Sequence, residues 1–209
     1  MREEIKPSTR STQDDAFLIK AFQAGDKNVF DELVLRHQDN LFNLCYRFLG
    51  DYHEANDSAQ EVFIKVYRSL KKFRFQSSFS TWLYRVAVNT CKNRLKSLDY
   101  RFKKRMKHLD SQGAANGNNP SLDIADESRS PMVELEKKER SLLIQQAIDS
   151  LPGSKRTMVI LRDIEGLPYD EIAKITGFNL GTVKSKLARA RADLRDKLRR
   201  VIKNGMRRD

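Results

Sequence analysis

The sequence predicts an all-α chain of two helical domains joined by a flexible linker. Three observations predict it. Apolar residues recur at spacings of three and four over most of the 209 residues, and strand-like alternation is scarce. Glycine and proline punctuate these runs at Gly25, Gly50, Pro152-Gly153 and Gly177. One stretch, Ser111 to Pro131 (SQGAANGNNPSLDIADESRSP), carries too little apolar surface to order itself and reads as linker. The division is residues 12–98, a linker 99–131 and residues 132–203.

The elements follow in order. Phe17, Leu18, Ala21 and Phe22 form one apolar helix face, ended by Gly25. Asp26 is placed to cap a second helix carrying Val29, Phe30, Leu33 and Val34. A third holds Leu41, Leu44, Cys45, Phe48 and Leu49 and stops at Gly50. A fourth runs from about Glu54 to Leu70 on Ala55, Ala59, Val62, Phe63, Val66, Tyr67 and Leu70. After the loop FRFQSSFS, Thr81 is placed to cap a fifth helix to about Leu98. In the second domain one helical pattern spans Met132 to Leu151, and another Ser154 to Ile164.

A helix-turn-helix pattern comes next, Leu167 to Arg191 (LPYDEIAKITGFNLGTVKSKLARAR). Pro168 suits a helix start because it lacks only an N–H that would be unpaired there. Tyr169 to Thr176 make a short helix, Gly177 supplies the turn, and Thr182 opens a longer helix. On that helix Val183, Leu187 and Leu194 share one side, leaving Lys184, Ser185, Arg189 and Arg191 outward. Such a face fits the DNA major groove, where cations reach phosphates and guanine edges.

Charge supports a polyanionic partner: 40 Lys+Arg against 28 Asp+Glu give +12. Lys92 to His108 holds eight Lys/Arg and one Asp, and Gly181 to Asp209 holds eleven Lys/Arg and three Asp. Between them, Asp110 to Glu139 is acidic. No apolar run approaches the ~18 residues of a membrane span, so no membrane insertion is expected. The N-terminus has no signal-peptide core, and the expected compartment is the cytoplasm. Cys45 and Cys91 read as small buried hydrophobes. Two Cys and three His, all scattered, give no metal-ligand spacing. No P-loop, acidic metal cluster, deaminase pattern or activated nucleophile stands out, so neither a cofactor nor an enzyme is expected.

Two further faces stand out. Asp57, Gln60, Glu61 and Ile64 recur at helical spacing opposite the Phe63/Val66/Tyr67 stripe, a mixed surface suited to a protein partner. Arg85, Asn89, Lys92, Asn93 and Lys96 share one side of the next helix, behind the polar loop Phe73 to Phe79 with Ser77, Ser78 and Ser80. Asn and Arg can bond base edges, and such a loop can pocket an unstacked base.

These segments carry a family resemblance. DSAQEVFIKVYRSLKKFRFQSSFSTWLYRVAVNTCKNRL resembles region 2 of an extracytoplasmic-function (ECF) sigma factor, and DSLPGSKRTMVILRDIEGLPYDEIAKITGFNLGTVKSKLARARADLR resembles region 4. The resemblance covers about residues 14–98 and 132–200, with the two regions in the family's order around the linker. It implies a region 2 bundle and a region 4 helix-turn-helix, with core RNA polymerase and promoter DNA as partners. Asp57, Gln60, Glu61 and Ile64 would meet the clamp helices of the largest polymerase subunit, and region 4 the flap of the second largest. Phe75, Gln76, Ser77, Ser78, Arg85, Asn89, Lys92 and Asn93 would read the melted strand near −10. Arg162, Thr182, Lys184, Ser185, Lys186, Arg189 and Arg191 would contact the −35 duplex. The linker would thread toward the RNA exit path, and an anti-sigma factor would hold the free protein inactive. Departures are visible. The −10 loop often reads Arg-Gly-acidic in this family and is Arg74-Phe75-Gln76 here; Asn179 stands where Pro is common. The alternative weighed is a stand-alone helix-turn-helix regulator, which would bind promoter DNA without polymerase.

Overall fold

The computed structural model describes residues 9–109 and 143–205, with side chains over 14–97 and 143–199. All regular structure among the described residues is helical: α1 (Thr9–Ala24), α2 (Val29–Leu49), α3 (Tyr52–Leu70), α4 (Phe79–Leu109), α5 (143–149), α6 (Gly153–Val159), a π-turn (Ile160–Ile164), α7 (Tyr169–Thr176) and α8 (Leu180–Gly205). No described helix is long and apolar enough to cross a membrane. The expected linker core, 110–131, and the first part of the expected 132–151 helix lie outside the described residues.

The first half is a four-helix bundle. Leu33, Leu41, Leu44, Phe48, Val62, Val66, Leu70, Leu83 and Val88 are fully or almost fully buried within it. Two helices expected on either side of residues 35–40 are one helix, α2. That stretch, LRHQDN, has no Gly or Pro to break it, and His37 is drawn inward. Its Nε2 lies 2.9 Å from Asp15 Oδ2 of α1, with both residues buried. Arg36 extends the contact to Asp14, Asp15 and Glu32. Gly50 ends α2 in left-handed backbone (φ +72°), its N–H donating to the Tyr46 carbonyl.

The cap of α4 is Ser78, not Thr81. Ser78 Oγ accepts from the Thr81 amide at 3.1 Å, and the Ser78 carbonyl takes the Trp82 amide, so the helix starts at Phe79. The same helix runs past Leu98 to Leu109, because SLDYRFKKRMKHL offers good helix formers and no breaker.

The second half packs its helix-turn-helix on α6 through Met158, Ile160, Leu161, Ile172, Ile175, Val183, Leu187 and Ala190. Gly177 has φ +75° and caps α7 by donating to the Ala173 carbonyl. Asn179, one residue ahead of α8, accepts from the Thr182 amide at 2.8 Å, so α8 begins at Leu180 rather than at Thr182. An asparagine cap therefore starts this helix where the family resemblance anticipates proline.

The halves share one apolar core, and α7 packs against α4. Arg156 of α6 is 8% exposed; its Nη1 donates to the Phe48 carbonyl at 2.9 Å and its Nη2 to the Asp149 carbonyl. Gln145 donates to the Arg47 carbonyl at 3.2 Å. Two carbonyls of the last turn of α2, which no intrahelical N–H can reach, are thus satisfied from the second half.

Candidate nucleic-acid interface

The loop between α3 and α4 is anchored from three sides. Gln23 of α1 donates to the carbonyls of Leu70 and Phe73 at 3.2 and 2.9 Å. Phe73 lies 5.0 Å from Trp82, and Phe79 lies 6.0 Å from Trp82, all ring to ring. Phe73 and Phe79 are buried and Trp82 half-buried, so these rings are the floor of the loop. Above them a cleft of about 470 Å³ is lined by Lys72, Arg74, Gln76, Ser77, Trp82 and Arg85, with Lys174 of α7 at its edge. Phe75, at the loop tip, has φ +56°, the only left-handed backbone at a non-glycine among the described residues. A side chain there strains the chain by roughly 1 kcal/mol or more.

The expected −10 set divides along α4. Gln76, Ser77 and Arg85 line the cleft, while Asn89 and Asn93 are exposed further along the helix. Ser78 is engaged in the helix cap. Lys92 is turned away from the loop, into a second cleft of about 490 Å³ with Lys96, Asp149 and Arg156. Burial there, then the neighbouring Lys96, lowers its pKa.

The cations of the helix-turn-helix also divide. Lys184 and Arg189 are exposed and have no ion pair or hydrogen bond among the described residues. Arg162 Nη1 donates to the Leu167 carbonyl at 2.9 Å, and its guanidinium lies 4.8 Å from the Tyr169 ring centroid. Arg191 forms an ion pair with Asp163, which raises its pKa. Lys186 sits 4.9 Å over the Phe178 ring. Ser185 Oγ donates back to the Thr182 carbonyl at 3.1 Å, which leaves that exposed hydroxyl an acceptor for a DNA amine.

On α3, Asp57 pairs with Arg94 of α4 at 3.3 Å and Glu61 with Lys65 at 2.6 Å, all four at least partly exposed. Ile64 is 51% exposed beside them. Gln60 instead joins a groove of about 430 Å³ between α2 and α3, lined by Val34, Gln38, Phe42, Tyr52 and Phe63. Sequence reasoning missed this groove. Its signal was present as aromatic residues at the edges of the core stripes of two consecutive helices.

A family model for sigma-70 region 2 matches residues 33–100, and one for sigma-70 region 4 matches residues 141–194. The chain is 38% identical over 192 residues to the RNA polymerase sigma-H factor of Pseudomonas aeruginosa, covering 86% of this chain and 91% of that one. It is 37% identical over 182 residues to the ECF RNA polymerase sigma factor SigW of Bacillus subtilis, covering 87% and 95%. Against the ECF RNA polymerase sigma-E factor of Escherichia coli it is 35% identical over 189 residues, covering 90% and 96%. Two solved structures share the fold. CnrH, in complex with the cytosolic domain of CnrY, has a TM-score of 0.60 at 22% identity, covering 87% of this chain and 95% of that one. RpoE of Bartonella quintana, in complex with the anti-sigma factor NepR, has a TM-score of 0.56 at 20% identity, covering 81% and 96%. A stand-alone regulator would not explain a region 2 match ahead of the region 4 match. The helical bundle with its loop cleft is region 2, the helix-turn-helix is region 4, and the chain belongs to the ECF sigma factors, which direct RNA polymerase to promoters and are not enzymes.

Proposed function

We propose that this sigma factor divides promoter recognition between two helices, α4 for the melted −10 strand and α8 for the −35 duplex. The observation that carries the reading is a matching pair of uncommitted polar faces. Arg85, Asn89 and Asn93 on α4, and Lys184 and Arg189 on α8, are all exposed and unpaired among the described residues. At −10 the cleft residues Gln76, Ser77 and Arg85 receive an unstacked base, with Phe75 between Arg74 and Gln76 of its lining; Asn89 and Asn93 bond base edges or sugar-phosphate further along α4. At −35 Lys184, Ser185 and Arg189 meet the major groove, while Arg162, Thr182, Lys186 and Arg191 shape the motif that presents them.

Core polymerase docks on the outward face of α3, Asp57, Gln60, Glu61 and Ile64, together with the apolar groove that Gln60 borders. Acidic groups held half-paired at a rim, around an apolar centre, suit a basic helical partner. Residues 12–98 and 132–203 act as the two recognition modules, in the cytoplasm. A separate anti-sigma factor belongs to the same reading; both solved relatives carry a bound protein partner, CnrY and NepR. Run-off transcription with core polymerase on a promoter library is the test. Paired −10 and −35 consensus elements are expected. Binding of duplex promoter DNA by the free chain, with no transcription when core is added, would overturn the reading.

A further inference from the structure

Phe75 is an aromatic residue in a place where folding alone favours its absence. Its backbone (φ +56°) suits glycine, and its ring stays 40% exposed. Among the described residues the ring's one aromatic contact is Phe73, 5.0 Å away and tilted by 67°, edge toward face. Beneath it, Phe73, Phe79 and Trp82 already complete the floor without it. Arg74 and Gln76, its immediate neighbours, both line the cleft. Phe75 is thus a partly exposed ring between two residues of the cleft lining, on a loop whose cleft also carries the cations Lys72, Arg74 and Arg85. Strain concentrated at one exposed residue beside a polar cleft marks a binding position. Flat apolar surface next to cations is the chemistry of a single-stranded nucleic acid platform, where bases stack and phosphates find positive charge.

We propose that Phe75 is a stacking platform for an unpaired base of the −10 strand, next to the base held in the cleft; this rests on the −10 reading above. Every base has a π-face, so recognition at that position depends on stacking rather than on a hydrogen-bond pattern. Lys72 and Arg74 hold the flanking phosphates. The aromatic ring, not its bulk, is what the position requires.

The test uses the full chain assembled with core polymerase. Single-stranded DNA dodecamers are selected from a random pool on the wild type, and each position is then changed to all four bases. Binding is compared for wild type, Phe75→Trp, Phe75→Leu, Phe75→Gly and Asn89→Ala. Phe75→Trp is expected to bind as the wild type does. Phe75→Leu and Phe75→Gly should lose about five- to a hundredfold in affinity, and by a similar factor whichever base occupies one particular position. Phe75→Gly should melt no lower than the wild type, since the glycine relieves the backbone. Wild-type affinity in Phe75→Leu, with binding lost in Asn89→Ala, would overturn the stacking assignment and leave the −10 reading standing. Unchanged affinity in all the variants would overturn both.

Discussion

Arg162 holds the Leu167 carbonyl and lies over the Tyr169 ring, whereas Arg189 is exposed with no described partner. A cation already engaged must give up its contact before it can take a phosphate. The two residues are therefore expected to fail differently. Arg162→Ala should lower the melting temperature, because a half-buried carbonyl loses its donor, at a cost of about 1 kcal/mol. Lys184→Ala or Arg189→Ala should leave melting unchanged and weaken binding to −35 duplex by about 1–3 kcal/mol if a base contact is lost. If only a phosphate contact is lost, the slope of log K against log salt should fall by about one, with sequence preference intact. A salt titration of duplex binding separates these results. Helical spacing alone set Lys184, Ser185 and Arg189 outward, because it fixes the angle of each side chain about its own helix. It could not show that Asp163, from another element, reaches Arg191, nor that Asp15 and His37 meet in the core. Contacts between elements have no signature in the periodicity of either one.

At the scale of elements, the cap of α4 positions the α3–α4 loop against the helix that completes the cleft. Ser78→Ala removes the acceptor of the Thr81 amide and is expected to destabilise the bundle by about 1 kcal/mol, read from a denaturant midpoint. Thr81→Ala keeps the amide but loses the buried hydroxyl that bonds Ser78 Oγ at 2.6 Å, and should cost a similar amount, about 1 kcal/mol. Gly177→Ala meets no atom within 4 Å, yet its φ of +75° should still cost about 1–2 kcal/mol and loosen the turn before α8. Periodicity located every described helix but placed several ends wrongly. Glycines at αL positions, Gly50 and Gly177, marked true stops because a Cβ is strained there. Thr81 misled as a start because Ser78 offered an equally good acceptor three residues earlier. The break expected inside α2 came from a polar stretch that a buried His37–Asp15 pair draws into the fold.

Across the whole molecule, the second half closes on the C-terminus of α2 through Arg156 and Gln145, and on α4 through Tyr84, whose hydroxyl donates to Glu165 at 3.3 Å. Arg156→Met strands the Phe48 carbonyl and leaves Asp149 without its cation. It is expected to cost about 1–3 kcal/mol and to split one thermal transition into two. The same contact responds to pH. Burial raises the Glu165 carboxyl above its ordinary 4.5, against smaller opposite effects from Tyr84 and Arg47. Asp149 is raised by burial too. The folded state therefore holds these protons more tightly than the unfolded chain. Stability gained from protonation appears as pH falls through the raised value toward the ordinary one, and it is absent at neutral pH. Glu165→Gln mimics the protonated form. It should melt above the wild type at pH 7, with the gap closing as pH falls through the raised value toward 4.5. In the division proposed above, α4 acts on melted DNA and α8 on duplex DNA within one polymerase-bound sigma factor. Permanganate footprinting of holoenzyme on a selected promoter tests this most directly. Asn89→Ala should bind the closed promoter normally and fail to expose reactive thymines near −10, whereas Lys184→Ala with Arg189→Ala should lose closed-complex binding. Normal melting by Asn89→Ala together with lost closed-complex binding would contradict this division of labour between α4 and α8.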